Sequence, residues 1–218
     1  MKKIGKWFIP EFDNPDKLRF LENNDIQCKP ALEKAFKYVS RFTNAIDVGA
    51  WIGDSASIIA TQFEHVKIFE PVNELVECCK ENLQQRNLTN FDIYPVGLSN
   101  INGTQMLVNK GKSFSGFIPT IELSKFKRSF TIETKTLDSY NFENIDFIKI
   151  DVDSHEGYML EGSTEFFKRN NPVIMIESKE RDQKKFQNEK MINPINFLQN
   201  IGYKIKETAG KAEYILTR

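Results

Sequence analysis

Two acidic residues and a glycine-bearing turn together form a pattern that can bind a cofactor. One acid lies within a short apolar segment, and the other ends a second one. Asp47 lies within the apolar segment A-I-D-V, and the turn that follows carries Gly49 and Gly53. After one helix-length interval, Glu70 ends a second apolar segment, and Pro71 ends the predicted strand. A strand that runs through such a turn into a helix can hold a nucleotide-like cofactor at the carboxyl edge of a sheet. We therefore expect a cofactor site at this edge.

The spacing of the glycines indicates the class of cofactor. The turn reads G-x-x-x-G and not the G-x-G-x-x-G of dinucleotide-binding proteins, which argues against a nicotinamide cofactor. Asp47 would place a carboxylate where a dinucleotide has its pyrophosphate, so an ammonium is favoured there. The amino acid end of S-adenosylmethionine carries such an ammonium, and Glu70 is placed to accept hydrogen bonds from the two ribose hydroxyls. Two simpler roles stay open: the glycines form an ordinary turn, and Asp47 caps the next helix.

Charged residues cluster after a third apolar segment. The cluster consists of Lys149, Asp151, Asp153, His155 and Glu156, and Lys149 lies on the same side of the strand as Asp151. If S-adenosylmethionine is the cofactor, the reaction is methyl transfer from a sulfonium, which is an in-line displacement. The enzyme then has to align the acceptor with the methyl group, and a hydroxyl acceptor also needs a base. We expect His155 to be that base, because an unperturbed imidazole pKa of about 6.5 suits neutral pH. Asp151 and Glu156 would orient the imidazole or the acceptor.

The same charged cluster could instead bind a metal or have a purely structural role. The carboxylates and the histidine could bind a divalent cation, with Glu177 as a further ligand, although we favour a site without metal. Alternatively, Asp153 or Ser154 caps the following helix and His155 is a solvated surface residue. Glu177 could also form a simple surface ion pair with Lys179 or Arg181.

Composition limits the class of protein. The 218 residues fit one domain, and Lys plus Arg equal Asp plus Glu at 30 each, so no global charge favours nucleic acid or a membrane surface as partner. No apolar run approaches the roughly 18 residues that span a bilayer, and the N-terminus lacks a signal sequence, so we expect a cytoplasmic protein without stable membrane insertion. The three cysteines match neither a disulfide framework nor zinc-ligand spacing.

Strand and helix patterns alternate after an N-terminal helical cap at residues 1–44, which predicts an α/β fold with a parallel sheet. Strands are predicted at 45–49, 66–70, 91–96, 146–151 and 172–177, and helices at 16–23, 30–42, 54–62, 73–86, 157–168 and 194–200. Two closing strands, 203–206 and 213–216, are joined by a short turn and must be antiparallel. Asn102-Gly103 predicts a hairpin between residues 94–99 and 105–109.

A basic and aromatic stretch interrupts this alternation. Residues 109–135 carry six basic residues against two acidic ones, together with four phenylalanines. Two interpretations stay open: a lid over the acceptor, which an anionic or glycan acceptor would suit, and a solvated charged face, which is the commoner role of a charge run.

The chain resembles the FkbM-type family of S-adenosylmethionine-dependent methyltransferases over roughly residues 44–177. The resemblance rests on four motifs in the family's order: A-I-D-V-G-A-W-I-G-D, F-E-P-V-N-E, V-G-L-S-N-I-N-G and I-D-F-I-K-I-D-V-D-S-H-E-G. The last motif departs from the family's usual D-V-E-G-x-E, with Asp153 in place of Glu and Ser154 in place of Gly. Serine adopts positive φ less easily than glycine does.

The resemblance implies a Rossmann-like class I methyltransferase fold, with a seven-stranded, mostly parallel sheet, an antiparallel last strand and helices on both faces. It implies S-adenosylmethionine as cofactor and S-adenosylhomocysteine as product. The expected cofactor-binding residues are Asp47, Gly49, Ala50, Gly53, Asp54, Glu70, Pro71, Gly97, Leu98, Ser99 and Asp151.

Taken together, these patterns predict O-methylation of a hydroxyl on a sugar, glycan or secondary metabolite. The acceptor is expected to be a small molecule or glycan, with an anionic one among the options, and not a nucleic acid. Alternatives are transfer to nitrogen or to a carboxylate, a NAD-dependent oxidoreductase, and a catalytically silent cofactor-binding module, for which the altered last motif is the only hint.

Overall fold

The computed structural model describes residues 1–23, 26–109, 114–115, 128–179, 191–210 and 212–218. An antiparallel hairpin of β1 (Lys2–Ile4) and β2 (Trp7–Ile9) opens the chain, followed by a 3-10 helix at Pro15–Asn23 and by α1 (Lys29–Phe36). The hairpin is an addition to the helical segments expected here, and α1 ends six residues earlier than its apolar periodicity indicated.

The elements then alternate along the chain. They are β3 (Asn44–Val48), α2 (Asp54–Ile59), β4 (His65–Phe69), α3 (Asn73–Gln84), β5 (Phe91–Tyr94), β6 (Gly97–Leu98), β7 (Gly103–Asn109), β8 (Phe114–Ser115), β9 (Arg128–Lys135), a 3-10 helix at Leu137–Tyr140, β10 (Phe147–Ile150), α4 (Glu156–Glu161), α5 (Thr164–Arg169), β11 (Val173–Glu177), α6 (Pro194–Asn200), β12 (Lys204–Ala209) and β13 (Glu213–Thr217).

The main sheet has seven strands in the order β12-β13-β11-β10-β3-β4-β5. The pairs among β11, β10, β3, β4 and β5 are parallel, and β13 runs antiparallel to both of its neighbours. This confirms the predicted mostly parallel sheet with an antiparallel last strand. Such a topology brings the carboxyl ends of β3, β4, β10 and β11 to one edge, where the predicted site residues follow the strands.

Apolar side chains cover both faces of this sheet. Successive residues of β3 point to opposite faces of the sheet and belong to different buried clusters, Ala45 to one and Ile46 to the other. The first cluster includes residues of α1, α2 and α3, and the second includes residues of α4, α5 and α6. All four residues of β10 are buried, as expected for a central parallel strand covered on both sides. The predicted helices on both faces are thus confirmed.

The single helix predicted at 157–168 is two helices, α4 and α5. The break lies at Gly162, where a Cβ atom would lie 2.0 Å from the carbonyl oxygen of Ser99. The next residue, Ser163, donates its hydroxyl to the carbonyls of Met159 and Leu160, a bond that competes with the regular helix. Close packing on Ser99 and this local hydrogen bond together end α4.

The hairpin predicted across Asn102-Gly103 is wrong. A second sheet has the order β6-β9-β7-β8, so β6 and β7 lie on opposite sides of β9 and do not pair. Gly97 and Gly103 both stand opposite Thr134 of β9. The Asn102 side chain accepts a hydrogen bond from the backbone of Thr136 at 2.7 Å, so it fixes the approach to β9 instead of a tight turn.

The predicted lid lies mostly outside the described residues, since 110–113 and 116–127 are not among them. Of its basic residues, Lys135 forms an ion pair with Glu133 at 2.8 Å, and Arg128 stands over the ring of Phe12. None of the helices in the described segments is long and apolar enough to cross a membrane.

Candidate active site

A cavity of about 570 Å³ opens at the carboxyl edge of the main sheet. Its walls include the turns after β3, β4 and β10, the second sheet, the N-terminal segment before α1, and the end of β11 with the start of β13. The sequence-predicted residues that line it are Gly49, Asp54, Glu70, Pro71, Gly97, Leu98, Lys149, Asp151, Asp153 and His155. The remaining predicted residues, Asp47, Ala50, Gly53, Ser99 and Glu156, lie behind this wall and support it.

The two glycines of the turn after β3 are required by backbone geometry. Gly49 has φ +79°, and a Cβ atom there would lie 1.9 Å from the carbonyl oxygen of Asp151. Gly53 has φ +82°, and its Cβ would lie 2.7 Å from the sulfur of Cys79. Trp51 between them also has positive φ, at 50°. The turn is therefore packed directly on the end of β10 and on α3, which fixes it as the floor of the cavity.

Beneath this floor, the ammonium of Lys149 lies between two carboxylates. Its Nζ atom is 3.4 Å from Oδ1 of Asp47 and 3.6 Å from Oδ2 of Asp151. Asp47 and Lys149 are directly opposed residues of the paired strands β3 and β10, and both are buried. Oδ2 of Asp47 also accepts a hydrogen bond from the Ser55 hydroxyl at 2.6 Å. The cation beside Asp47 is thus the lysine of the neighbouring strand.

This arrangement keeps Lys149 charged. Burial alone would lower the pKa of its ammonium, but Asp47 and Asp151 raise the pKa well above its usual value. A permanently protonated amine cannot accept a proton. Its charge instead holds the carboxylate of Asp151, which is 40% exposed and faces the cavity.

Glu70 connects the turns after β3 and β4. Its Oε2 atom accepts a hydrogen bond from the backbone N–H of Trp51, and its Oε1 atom accepts one from Val72, both at 3.0 Å. Burial raises the pKa of this carboxyl to about 8, and the two amide donors oppose that rise. Each carboxylate oxygen has more than one lone pair, so both can accept a further hydrogen bond from a ligand.

The turn after β10 is strained, and Glu156 supports it. Asp153 and Ser154 have φ +50° and +79°, a region that glycine adopts more easily. Oε1 of Glu156 accepts hydrogen bonds from the backbone N–H groups of Val152 and Ser154, each at 3.2 Å. Burial raises the pKa of the Glu156 carboxyl to about 7. Glu156 therefore stabilises the turn and does not face the cavity.

This strained turn presents Asp153 to the cavity. Within the described residues, no hydrogen bond or close ion pair involves its carboxyl group. Burial, followed by the charge of Asp151, raises its pKa to about 8. A carboxyl group that faces a cavity without a partner is available to bind a ligand or take up a proton.

His155 is buried and not solvated. It is 6% exposed, and its Nε2 atom lies 3.0 Å from the hydroxyl of Ser99, within hydrogen-bonding distance. Its ring packs on Tyr158 at a centroid distance of 5.0 Å. Burial lowers the pKa of the imidazole to about 3, so the ring is neutral at pH 7.

Sequence reasoning missed the N-terminal wall of the cavity. The residues there are Phe12, Asp13, Asn14, Leu18, Phe20, Gln27 and Cys28. Burial raises the pKa of the Asp13 carboxyl, and the neighbouring Trp51 side chain opposes that rise. The mixture of phenylalanine with Asp and Asn in F-D-N, outside any helical period, is the signal in the sequence that could have marked a ligand-facing segment.

The far end of the cavity also carries charged residues that were only partly expected. Of the two partners expected for Glu177, Lys179 forms the ion pair, and Arg181 lies outside the described residues. Glu177 and Lys179 line the cavity together with Glu213. Burial and then the charge of Asp151 raise the pKa of Glu177. Among the described residues, no three His, Cys, Asp or Glu side chains lie close enough together to hold a metal ion.

Replacement of Gly49 by alanine should destabilise the protein. The new Cβ would collide with the backbone of Asp151 at a positive φ, so the free energy of unfolding in urea should fall by more than about 2 kcal/mol. Gly103→Ala is the control, because no atom lies within 4 Å of its Cβ position. Equal effects of the two substitutions would contradict this account of the turn.

Glu156→Gln should change how stability depends on pH. The pKa of Glu156 is raised in the folded state, so its contribution to stability is fully present below pH 4.5 and is lost as the pH rises towards 7. Glutamine keeps both backbone hydrogen bonds through its amide oxygen and cannot ionise. The free energy of unfolding of the variant minus that of the wild type should therefore increase by about 2 kcal/mol between pH 5 and pH 8.

Urea titrations at the two pH values measure this difference. Glu165→Gln, on an exposed part of α5, controls for the loss of a carboxylate. A difference between variant and wild type that stays constant with pH would contradict the assigned burial effect.

Solved structures share this fold at low sequence identity. An FkbM methyltransferase from Methylobacillus flagellatus KT is 15% identical, with a TM-score of 0.57 over 94% of this chain, and the chain spans 55% of that protein's length. A Streptococcus mutans protein in complex with S-adenosylhomocysteine is 10% identical, with a TM-score of 0.52, over 88% of this chain and 96% of that one. Precorrin 8w decarboxylase from Methanobacterium thermoautotrophicum is 10% identical, with a TM-score of 0.57, over all of both chains.

Family membership follows from the sequence itself. Among curated proteins, none matches the chain at a significant level. The sequence profile of the FkbM methyltransferase domain, however, matches residues 47–205, which is well over half of the chain and includes the turn after β3, Glu70 and the turn after β10. The chain belongs to the FkbM family of methyltransferases.

Proposed function

We propose that the protein is an O-methyltransferase that uses S-adenosylmethionine and acts on a hydroxyl group of a sugar, a glycan or a secondary metabolite. The observation that carries this proposal is that one cavity combines the glycine turn and Glu70 with the carboxyl of Asp153, which makes no hydrogen bond or close ion pair within the described residues. The first two suit a nucleoside, and the third suits an acceptor that must lose a proton.

The residues at the turn fit the cofactor. Glu70 is held by Trp51 and Val72 with lone pairs to spare, so it can accept hydrogen bonds from both ribose hydroxyls. Asp54 and Asp151 also face the cavity and can pair with the ammonium of the methionine part. Asp47, the residue expected to do so, is buried and does not line the cavity. The volume of about 570 Å³ lies within the usual range for small-molecule sites. When bound, S-adenosylmethionine supplies an electrophilic methyl group on a cationic sulfur.

Asp153 is suited to accept the proton of the acceptor hydroxyl. A base works best when its pKa lies near the working pH, and the pKa of Asp153 is about 8. His155 was the base expected from sequence, but its pKa of about 3 makes it a weak proton acceptor. We propose that Asp153 is the base and that His155, hydrogen-bonded to Ser99, positions the strained turn that carries Asp153.

The alternatives need different features. A carboxylate acceptor would need no base, so the available carboxyl of Asp153 supports a hydroxyl acceptor. An oxidoreductase would bind NAD, which family membership and the G-x-x-x-G turn argue against. A silent module would bind the cofactor without transferring its methyl group to any acceptor.

Calorimetric titration with S-adenosylhomocysteine tests the cofactor assignment. We expect micromolar binding, no binding of NAD, and a loss of about 10- to 100-fold in affinity for Glu70→Ala, since the two hydrogen bonds between its carboxyl group and the ribose disappear. Glu74→Ala, an exposed position at the start of α3, should leave affinity within about twofold of wild type. Unchanged affinity of a folded Glu70→Ala variant would refute the ribose contact, and binding of NAD alone would refute the methyltransferase.

The pH dependence of methyl transfer distinguishes the two candidate bases. With an acceptor found by screening sugars and phenols against labelled S-adenosylmethionine, kcat should rise with pH as Asp153 ionises near pH 8. Asp153→Asn should abolish that rise and lower kcat by about 10²-fold or more, without changing cofactor affinity. If His155 were the base, kcat would stay flat from pH 5 to pH 9.

His155→Ala should lower kcat less than Asp153→Asn and should keep the rise with pH. His65→Ala is the matched control, because His65 lies at the start of β4 in a surface ion pair with Asp92. Cofactor binding without transfer to any acceptor of the screen would refute the proposed reaction in favour of a silent module.

A further inference from the structure

A second cavity of about 570 Å³ lies at the opposite edge of the main sheet. Its walls include the segments that lead into β3, β10 and β11, together with β12 and the end of β13. These are the amino ends of the parallel strands, whereas the candidate active site lies at their carboxyl ends. The two cavities share no lining residue.

Basic residues dominate the charge of this second cavity. Its lining contains Arg41, Arg169, Lys206 and Arg218 and a single acidic side chain, Asp146. The whole chain is neutral, so this is a local concentration of positive charge. A concave surface lined by one sign of charge attracts ligands of the opposite sign.

The single acid of the cavity is already neutralised. Oδ1 of Asp146 binds the guanidinium of Arg41 at 2.9 Å, and Oδ2 accepts hydrogen bonds from the backbone N–H groups of Thr43 and Asn44 at 3.0 and 3.3 Å. Asp146 is thus used to fix the loop before β3, and Arg41 is its partner. Both carboxylate oxygens of Asp146 thus already have partners, and its side chain is only 6% exposed.

Those three cations have no carboxylate partner in the described part of the chain. Arg169 and Lys206 form no ion pair there, and the Nε atom of Arg218 donates to the carbonyl of Ile201 at 3.0 Å. The guanidinium of Arg218 also stands over the ring of Tyr203, 4.8 Å from its centroid. Arg218 is therefore held in place, and its remaining N–H groups stay available to a ligand.

Local backbone geometry contributes to this lining. Lys206 falls in a β-bulge of β12, between Ile205 and Glu207, where the register with β13 shifts by one residue. A bulge redirects a side chain that would otherwise alternate with its neighbours. Asn144, at φ +57°, is a second irregular residue of the lining.

The uncharged lining suits a phosphate ester as well. The hydroxyls of Ser40 and Thr217 and the side-chain amides of Asn144 and Asn171 add hydrogen-bond donors. Tyr38 stands at the cavity with 38% of its surface exposed, available to pack on a ring. Guanidinium groups bind phosphate oxygens in pairs of hydrogen bonds, which suits Arg169 and Arg218.

We propose that this second cavity binds a phosphate-bearing small molecule, with Arg169, Lys206 and Arg218 as its charge partners. The assignment does not depend on the proposed methyl transfer. The volume is in the range that holds a phosphorylated sugar or a mononucleotide.

Calorimetric titration with inorganic pyrophosphate, in the presence of saturating S-adenosylhomocysteine, tests the proposal. The wild type should bind, and Arg169→Gln and Lys206→Gln should each weaken the affinity about tenfold, because each removes one charged hydrogen-bond donor. Lys168→Gln is the matched control: it removes the same charge from the same helix, but Lys168 pairs with Glu165 and does not line the cavity. It should leave the affinity within about twofold of wild type.

Three outcomes would overturn the proposal. They are no binding of pyrophosphate to the wild type, whether or not a single-stranded RNA binds instead through Arg169 and Lys206; an equal loss for Lys168→Gln; and unchanged affinity of the folded Arg169→Gln and Lys206→Gln variants. Both tested cations are exposed, so the variants should fold, and thermal unfolding checks this. If one variant fails to fold, the other still decides the outcome.

Discussion

The buried ammonium of Lys149 is the interaction on which the candidate active site depends. It lies between Asp47 of β3 and Asp151 after β10, so it joins the two central strands at the edge where the cavity opens. Removal of one partner from a buried ion pair leaves an uncompensated charge, which costs several kcal/mol. The same pairing brings the carbonyl of Asp151 so close to residue 49 that only glycine fits there. The glycine turn and the ion pair are thus two parts of one constraint.

Burial then sets the proton affinity of the carboxyl groups around the cavity. The pKa values of Asp54, Glu70 and Asp153 are raised to about 6, 8 and 8, in each case mainly by loss of solvent. Lys149 cannot offset this for all of them, because its charge is shared with Asp47 and Asp151. Carboxyl groups whose pKa values lie near 7 can ionise to pair with a cationic ligand, and they can take up a proton at physiological pH. Both properties suit transfer of a methyl group from a sulfonium.

The two edges of the sheet differ in charge although the chain as a whole is neutral. Seven acidic and three basic residues line the cavity at the carboxyl edge, whereas four basic residues and one acidic residue line the cavity at the amino edge. The sheet separates the two, since the ends of a strand of four or five residues lie roughly 15 Å apart. Each cavity can therefore attract its own class of ligand.

The sequence by itself determined the alternation of strands and helices in the main sheet, the parallel pairing of that sheet and the family. These follow from local patterns: apolar runs of strand length, a glycine pair that the turn requires, and motifs whose residues are contiguous. Only the tertiary structure decided the partner of Asp47, the burial of His155, the pairing of β6 and β7 with β9, and the N-terminal wall at Phe12 and Asp13. Each of these features depends on contact between residues far apart in the chain or on access to water. Local periodicity encodes neither long-range contact nor access to water. The proton affinities of Asp153 and His155 differ from their usual values for the same reason, because the surrounding fold removes their solvent.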